Sequence, residues 1–550
     1  MVRPPVWPAG HPPVPLEQAG RTSENIQMVA IPYRMNRFIF DSLAGTSAES
    51  ASAHTLSQGP DLSTRPLLGF AAIPWQTLPM STPSKTRAWT LFLFAILWTA
   101  RATAGGFLIY EHGAAATGMA DARSALADDP SALYYSPAGI AELPGLQLSL
   151  GATGIVPVIH YQAAGPSASP RGYTGYRDGR YVELPVNDGE NSTDAKLRGF
   201  TPIHLYASYR LEKAPLAFGL SLNNPFGLGT FWPGGWDGRF IATETEIQTF
   251  FLQPVVALDL ARLLSWERHV RLSFAAGYQG VYGTARLAKR IDLRVGEALS
   301  LGEAQGGEGE MRLLGDAVGH GFVLALRAEF PRLFAFGLTV RSAVRLPFSG
   351  EASFSFNPAG ARTLELARLV FPEHTTGRVA MVLPWNLNLG VAFLGLARFT
   401  LAADVYVAFF ESYDQLEVTF DCVEEGRCSD TLNGDPIRKD WGKSIQLSLG
   451  AEYRPSDSIA VRAGFGLVSS PVPADTYDPS LPDGMRTLLA LGGGWRGERF
   501  GADIAYMLAF WKGEKDNTVG SGDLLNPEGR ANGTYTTLSH ILALTLSARF

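Results

Sequence analysis

Apolar and polar residues alternate strictly along one segment after another of this chain, and a period of two admits one local structure. Ile445, Leu447, Leu449, Ala451 and Tyr453 fall on one face of a segment whose other face carries Gln446, Ser448, Gly450 and Glu452. Residues 459–467 set Ile459, Val461, Ala463, Phe465 and Leu467 against Ala460, Arg462, Gly464 and Gly466. Leu401, Ala403, Val405 and Val407 oppose Thr400, Ala402, Asp404, Tyr406 and Ala408. At the carboxyl end Leu538, Leu542, Leu544, Leu546, Ala548 and Phe550 oppose Ser539, Thr545, Ser547 and Arg549. Successive side chains of a β-strand point to opposite faces, so these are strands with one apolar and one polar side. A soluble sandwich buries the apolar side, whereas a membrane barrel turns it to lipid and lines its lumen with the polar one.

Three observations favour the barrel. Lys85 and Arg87 precede the apolar run Ala88–Trp98, and Ala102-Thr103-Ala104 then supplies small residues where a signal peptidase cuts; that is the grammar of a secretory signal. The strands often reach ten or more residues, where a crossing takes about 9–11. Phe550 closes the last alternating strand with an aromatic residue. Lipid tolerates no open sheet edge, so an exported sheet in a membrane must close. Charged residues make up only 18% of the chain beside 59 glycines, and no later apolar run is long enough for a membrane helix. A net charge of −6 without basic clusters excludes nucleic acid as a partner.

Fourteen strands are expected, near 146–160, 201–212, 215–224, 249–262, 269–291, 319–330, 333–356, 375–394, 398–412, 443–454, 458–468, 486–497, 499–511 and 535–550. Short connections alternate with long ones at 161–200, 225–248, 292–318, 357–374, 413–442, 469–485 and 512–532. Short periplasmic turns and long outer loops are the barrel pattern. The expected fold is all-β: a 14-stranded antiparallel transmembrane β-barrel over 146–550, in the bacterial outer membrane.

Residues 1–79 read as a disordered leader or a mis-assigned start, with Met80 the initiator, and 80–104 as the signal peptide. Residues 105–145 do not alternate, and a short helix is expected near Asp121–Ala127. Phe107, Leu108, Ile109, Tyr110, Tyr134 and Tyr135 need burial. Fourteen strands enclose more lumen than wall side chains fill, so this segment is expected to plug it. Cys422 and Cys428 stand close in an acidic loop without neighbouring His, which suits a local disulfide in an oxidising exterior better than a metal site.

Several blocks resemble the FadL/TodX outer-membrane transporters of long-chain fatty acids and other hydrophobic compounds. They are GGFLIYEHGAAATGMADARSALADDPSALYYSPAGIAEL, NNPFGLGTFWPGGWDGRF, LPWNLNLGVAF, VRAGFGLVSSPVPADTYDPSLPDGMRTLLALGGGW and GTYTTLSHILALTLSARF. The order is right and the likeness spans 105–550. It implies a hatch at 105–145, with Phe107 as its aromatic near a ligand pocket and Ser136-Pro137-Ala138, where the family usually has Asn-Pro-Ala, facing a kink in the third strand. Pro225, Phe226 and Gly227 would end that kinked strand beside a lateral gap. An outer-loop groove would use Phe231, Trp232, Trp236, Leu366 and Phe371, with Arg239 a candidate for a ligand carboxylate. The same tryptophans also suit an interfacial girdle.

No HExxH, GxSxG or Walker A motif is present. The expectation is therefore no enzyme, no cofactor and no metal. Two functions remain. One is passive uptake of a long-chain fatty acid or hydrocarbon by a monomer set in outer-membrane lipid and lipopolysaccharide. The other is a porin-like or structural barrel without a hydrophobic ligand.

Overall fold

The computed structural model describes residues 105–164, 172–177, 180–185, 190–293, 307–357, 361–434, 436–516 and 530–550. The segments 1–79 and 80–104, read above as leader and signal peptide, lie outside them. Fourteen antiparallel strands make one closed wall. They are β1 (Leu146–Ala163), β2 (Ile203–Arg210), β3 (Leu216–Asn223, resuming at Gly227–Phe231), β4 (Glu244–Asp259), β5 (Arg271–Asp292), β6 (Glu308–Phe330) and β7 (Phe334–Arg341, resuming at Val344–Asn357). There follow β8 (His374–Leu383, resuming at Trp385–Leu396), β9 (Phe399–Phe409), β10 (Lys443–Ser456), β11 (Ile459–Val468), β12 (Met485–Arg496), β13 (Phe500–Lys515) and β14 (Gly533–Arg549). β1 closes the wall, pairing with β14 from Gln147↔Arg549 to Ala163↔Gly533 and with β2 from Leu146↔Tyr209 to Ala152↔Ile203.

The exposed side of this wall is the apolar one. On β14, Leu538, Leu542, Leu544 and Leu546 are 39%, 54%, 50% and 54% exposed, while Thr537, Ser539 and Ala543 between them are buried. Each such leucine in water would forfeit about 1.5–3 kcal/mol, so the outer face belongs in hydrocarbon. Phe330, Phe334, Phe336, Phe399, Tyr453, Trp495 and Phe500 project from this face near the short turns, the place of an aromatic girdle.

Two strands run further out than the sequence suggests. β5 ends at Asp292, close to the expected 291, but β6 begins at Glu308 rather than near 319 and pairs with β5 from Asp292↔Glu308 on, so the second part of the expected loop 292–318 is strand. Beyond the lipid the outer face is wet, so Glu308, Glu310 and Arg312, the last two paired along the strand, stand where apolar residues would otherwise alternate, while Leu313 stays buried on the inner face. For the same reason β4 begins at Glu244, ahead of the expected 249.

Residues 105–145 lie against inward-facing wall side chains. They form two single-turn helices, α1 (Ala114–Thr117) and α2 (Ala132–Tyr135), and a 3-10 turn at Pro137–Glu142. The helix expected near 121–127 does not form, because Ala120 and Asp121 take left-handed φ of 49° and 67°. The chain there passes over wall glycines instead: a Cβ at Gly337, Gly390, Gly450 or Gly464 would strike the backbone or side chains of residues 119–125.

Ions fix what the glycines admit. Arg123 pairs with Asp128 and Asp129, and Arg454 reaches Asp128 at 2.9 Å and Glu452 at 2.7 Å. Arg462, buried on β11, binds Glu452 at 2.7 Å and Asp503 at 2.6 Å. Arg327 of β6 joins Glu142 and Glu329. Removing one member of a buried ion pair strands its partner and costs about 3–5 kcal/mol. Arg462→Ala is expected to lower barrel stability by that order, read from the urea midpoint of the detergent-solubilised protein. A midpoint equal to that of the parent would mean the network contributes nothing.

Candidate functional site

The wall is interrupted at Asn224, Pro225 and Phe226, between the two halves of β3. Proline has no N–H for the ladder, and the Asn224 side chain makes good part of the loss. Its Nδ2 donates to the Thr249 carbonyl on β4 at 2.7 Å, and its Oδ1 accepts from the Ile203 N–H on β2 at 2.9 Å. Thr249 Oγ1 donates to the Phe226 carbonyl at 2.6 Å. Beyond the break β3 remains paired with β4. Its other edge meets the amino-terminal segment: Ile109 N–H donates to the Pro225 carbonyl at 2.9 Å, and Gly227 N–H to the Phe107 carbonyl at 3.0 Å.

Beside this break lies a cavity of about 450 Å3, lined by Phe107, Ile155, Phe200, Ile203, Phe226, Leu228 and Ile247, with Glu111, Arg198 and Arg486 at its polar edges. That volume is within the usual range for small-molecule sites. A second cavity of about 60 Å3 lies among Phe107, Met381, Tyr413, Trp441 and Leu481. Phe107 borders both. Its ring stands 5.8 Å from Phe226, 5.2 Å from Phe410, 6.2 Å from Tyr413 and 5.8 Å from Trp441. Lys439 and Asp478 pair at the edge of the smaller cavity. Burial would raise the Asp478 carboxyl, but the Lys439 ammonium and hydrogen bonds from Ser480 hold it below the usual carboxylate range.

The other sequence-derived residues fall elsewhere. Ser136, Pro137 and Ala138 are buried, and Ala138 packs in a cluster with Ala217, Val255 and Ala257, towards the short-turn ends of β3 and β4. The residues that meet the kink are Phe107, Leu108 and Ile109, because their backbone is extended and can pair with it. Trp232 and Trp236 stack on each other at 4.3 Å and are fully buried among Tyr161, Tyr477 and Tyr535. Their indole N–H groups donate to the carbonyls of Pro479 and Ala242, both at 3.0 Å. They therefore line neither a groove nor a girdle, since each indole is enclosed and its donor is satisfied by loop backbone. Phe231 is buried with Arg198 over its ring, and Phe371 packs on Phe354 and Phe356. Leu366 belongs to the helix Ala361–Val370, and its side chain is outside the described residues. Arg239 bridges Glu308 and the Trp236 carbonyl. Cys422 and Cys428 are joined, their Cα atoms 5.3 Å apart. Among the described residues no three His, Cys, Asp or Glu side chains group as metal ligands.

Sequence reasoning missed Asn224, Thr249, Phe200, Gly229, Phe410, Tyr413 and Trp441. Only Asn224 carried a local signal, an amide directly before the strand-breaking proline.

Residues 95–550 match the family model described as outer membrane protein transport protein (OMPP1/FadL/TodX). The chain belongs to the FadL/TodX family. An outer membrane protein of Neisseria meningitidis serogroup B is 25% identical over 484 residues, covering 85% of this chain and all of the relative. The long-chain fatty acid transport protein of Escherichia coli O6:H1 is 24% identical over 425 residues, 72% of this chain and 84% of the relative. Among solved structures, a Pseudomonas aeruginosa FadL homologue superposes with a TM-score of 0.67 at 20% identity, over 81% of this chain and 100% of that one. The Pseudomonas putida toluene transporter TodX gives 0.57 at 16%, over 81% and 99%. As a FadL/TodX member the protein sits in the bacterial outer membrane and serves transport of hydrophobic compounds. The family is one of transporters and channels rather than enzymes.

Proposed function

We propose that this protein takes up long-chain fatty acids or other hydrophobic compounds passively, as a monomer among outer-membrane lipid and lipopolysaccharide. The hatch is residues 105–145, and its leading end, with Phe107, gates the path. Ligand passes from the apolar cluster under the outer loops to the cavity beside the β3 break and leaves sideways through the wall there. The observation that carries this reading is the shared position of Phe107, which borders both cavities and is caged by aromatics rather than by charges. Burying a methylene contributes about 0.8 kcal/mol, so an acyl chain is captured without any chemical step. Sideways exit keeps the ligand out of water.

Purified protein is expected to bind a fluorescent long-chain fatty acid, and Phe107→Ala to bind it roughly tenfold more weakly, the loss of about 1.4 kcal/mol of ring contact. Identical binding would remove Phe107 from the path. No binding by the unaltered protein would favour a porin-like channel.

A further inference from the structure

Between the amino-terminal segment and the wall, buried oxygens that no hydrogen bond reaches surround one small cavity. They are Asp121 Oδ2, Asn388 Oδ1, Asp404 Oδ1, Gln446 Oε1 and the Tyr110 hydroxyl. All five residues line a cavity of about 10 Å3, and each is at most 6% exposed. The partner atoms of three of these side chains are already engaged. Asp404 Oδ2 accepts from Ser124 N–H at 2.8 Å and Ser124 Oγ at 2.5 Å. Asp121 Oδ1 accepts from the Tyr135 hydroxyl at 3.2 Å. Gln446 Nε2 donates to Ser448 Oγ at 2.9 Å, which turns its carbonyl the other way.

Buried polar atoms are almost always partnered, and this set has a definite deficit. With both carboxyls ionised it holds four acceptors that cannot donate against one hydroxyl that can, and no Lys, Arg or His lines the cavity. One water offers two protons and the Tyr110 hydroxyl a third, which still leaves one of the four acceptors unmet. A cation can meet all of them at once, and a space of about one probe sphere admits it. The geometry points to a binding site for a hard divalent cation of the calcium class, formed by Asp121, Asn388, Asp404, Gln446 and Tyr110. Oxygen-only donors suit calcium, and two carboxylates balance its charge. Magnesium is less suited, because it keeps its waters.

The Asp121 carboxyl reaches the cavity from the amino-terminal segment. The backbone bends to deliver it, with left-handed φ at both Ala120 and Asp121. The donors come from the segment and from β8, β9 and β10. A bound ion therefore ties the middle of the segment to three adjacent strands while the Phe107 end stays at the large cavity.

The test is amide hydrogen exchange of the detergent-solubilised full chain with and without calcium chloride. At a calcium concentration about ten times the dissociation constant, exchange at residues 119–126 is expected to slow about tenfold. Asp121→Asn and Asn388→Leu should each abolish the slowing while exchange in β12–β14 stays at the level of the unaltered protein. Asp404→Asn, on the wall, supplies a third arm should either variant fail to fold. Equal slowing in the variants would overturn the proposal, and so would no response to calcium or protection by sodium chloride alone.

Discussion

Deletion of residues 105–140 is expected to convert a closed barrel into a leaking one. The wall does not depend on the segment for its ladder: each strand from β1 to β14 pairs with wall neighbours on both sides, and β1 with β14 completes the ring. The segment contributes only a short backbone pairing, at the β3 break. Its removal takes away the buried clusters around Leu133 and Ile140 and around Met119 and Ala125. It also uncovers Arg327, Glu329, Asp404, Glu452 and Arg462, all of which point inward and are buried beneath it. In an open lumen these charges regain water, so the variant loses packing but keeps no stranded ion. A fourteen-stranded wall without filler is a channel, and small-sugar swelling rates in proteoliposomes should rise about tenfold or more. Swelling equal to that of the intact chain would mean the segment obstructs nothing.

The wall was legible because lipid inverts burial. Leu544 faces outward and Ala543 inward, and a period of two records that contrast whatever the residue's distant neighbours are. The start of β6 carried no such contrast, because its outward residues Glu308, Glu310 and Arg312 are charged while its inward ones, such as Leu313, are buried. The tryptophans of the 231–243 loop were misread for a different reason. What decides their role is Pro479 and Tyr535, which lie some 250 to 300 residues away and reach them only through closure of the wall. Phe107 came from likeness to a family rather than from its own surroundings, and so did the kink at Pro225. The cage of Phe410, Tyr413 and Trp441 had no local sign at all, because those residues stand in an irregular loop and gain meaning only when the segment threads the ring.

Gly229→Leu should nearly abolish uptake while leaving the outer loops intact. Gly229 lies on the second half of β3, opposite Glu246 of β4. A Cβ there would overlap the Phe200 ring. Phe200 belongs to the strip 195–202, which runs beside β1 and bridges to Ile155, so Gly229 and Phe200 meet at the side of the wall where the large cavity opens. Their contact is van der Waals only, so a leucine side chain at 229 has to push the ring into the cavity or the strip off the wall. Overpacking of this kind costs about 1–3 kcal/mol, and an equal rise in the barrier to passage slows uptake roughly tenfold or more. Neither residue lines the smaller cavity beneath the outer loops, so ligand capture there should persist. Phe200→Ala removes the ring that the new side chain strikes, and the pair Gly229→Leu with Phe200→Ala should recover most of the uptake, a coupling that a double-mutant cycle measures directly. If the single Gly229→Leu protein imported fatty acid at the unaltered rate, ligand would not be leaving through this side of the wall.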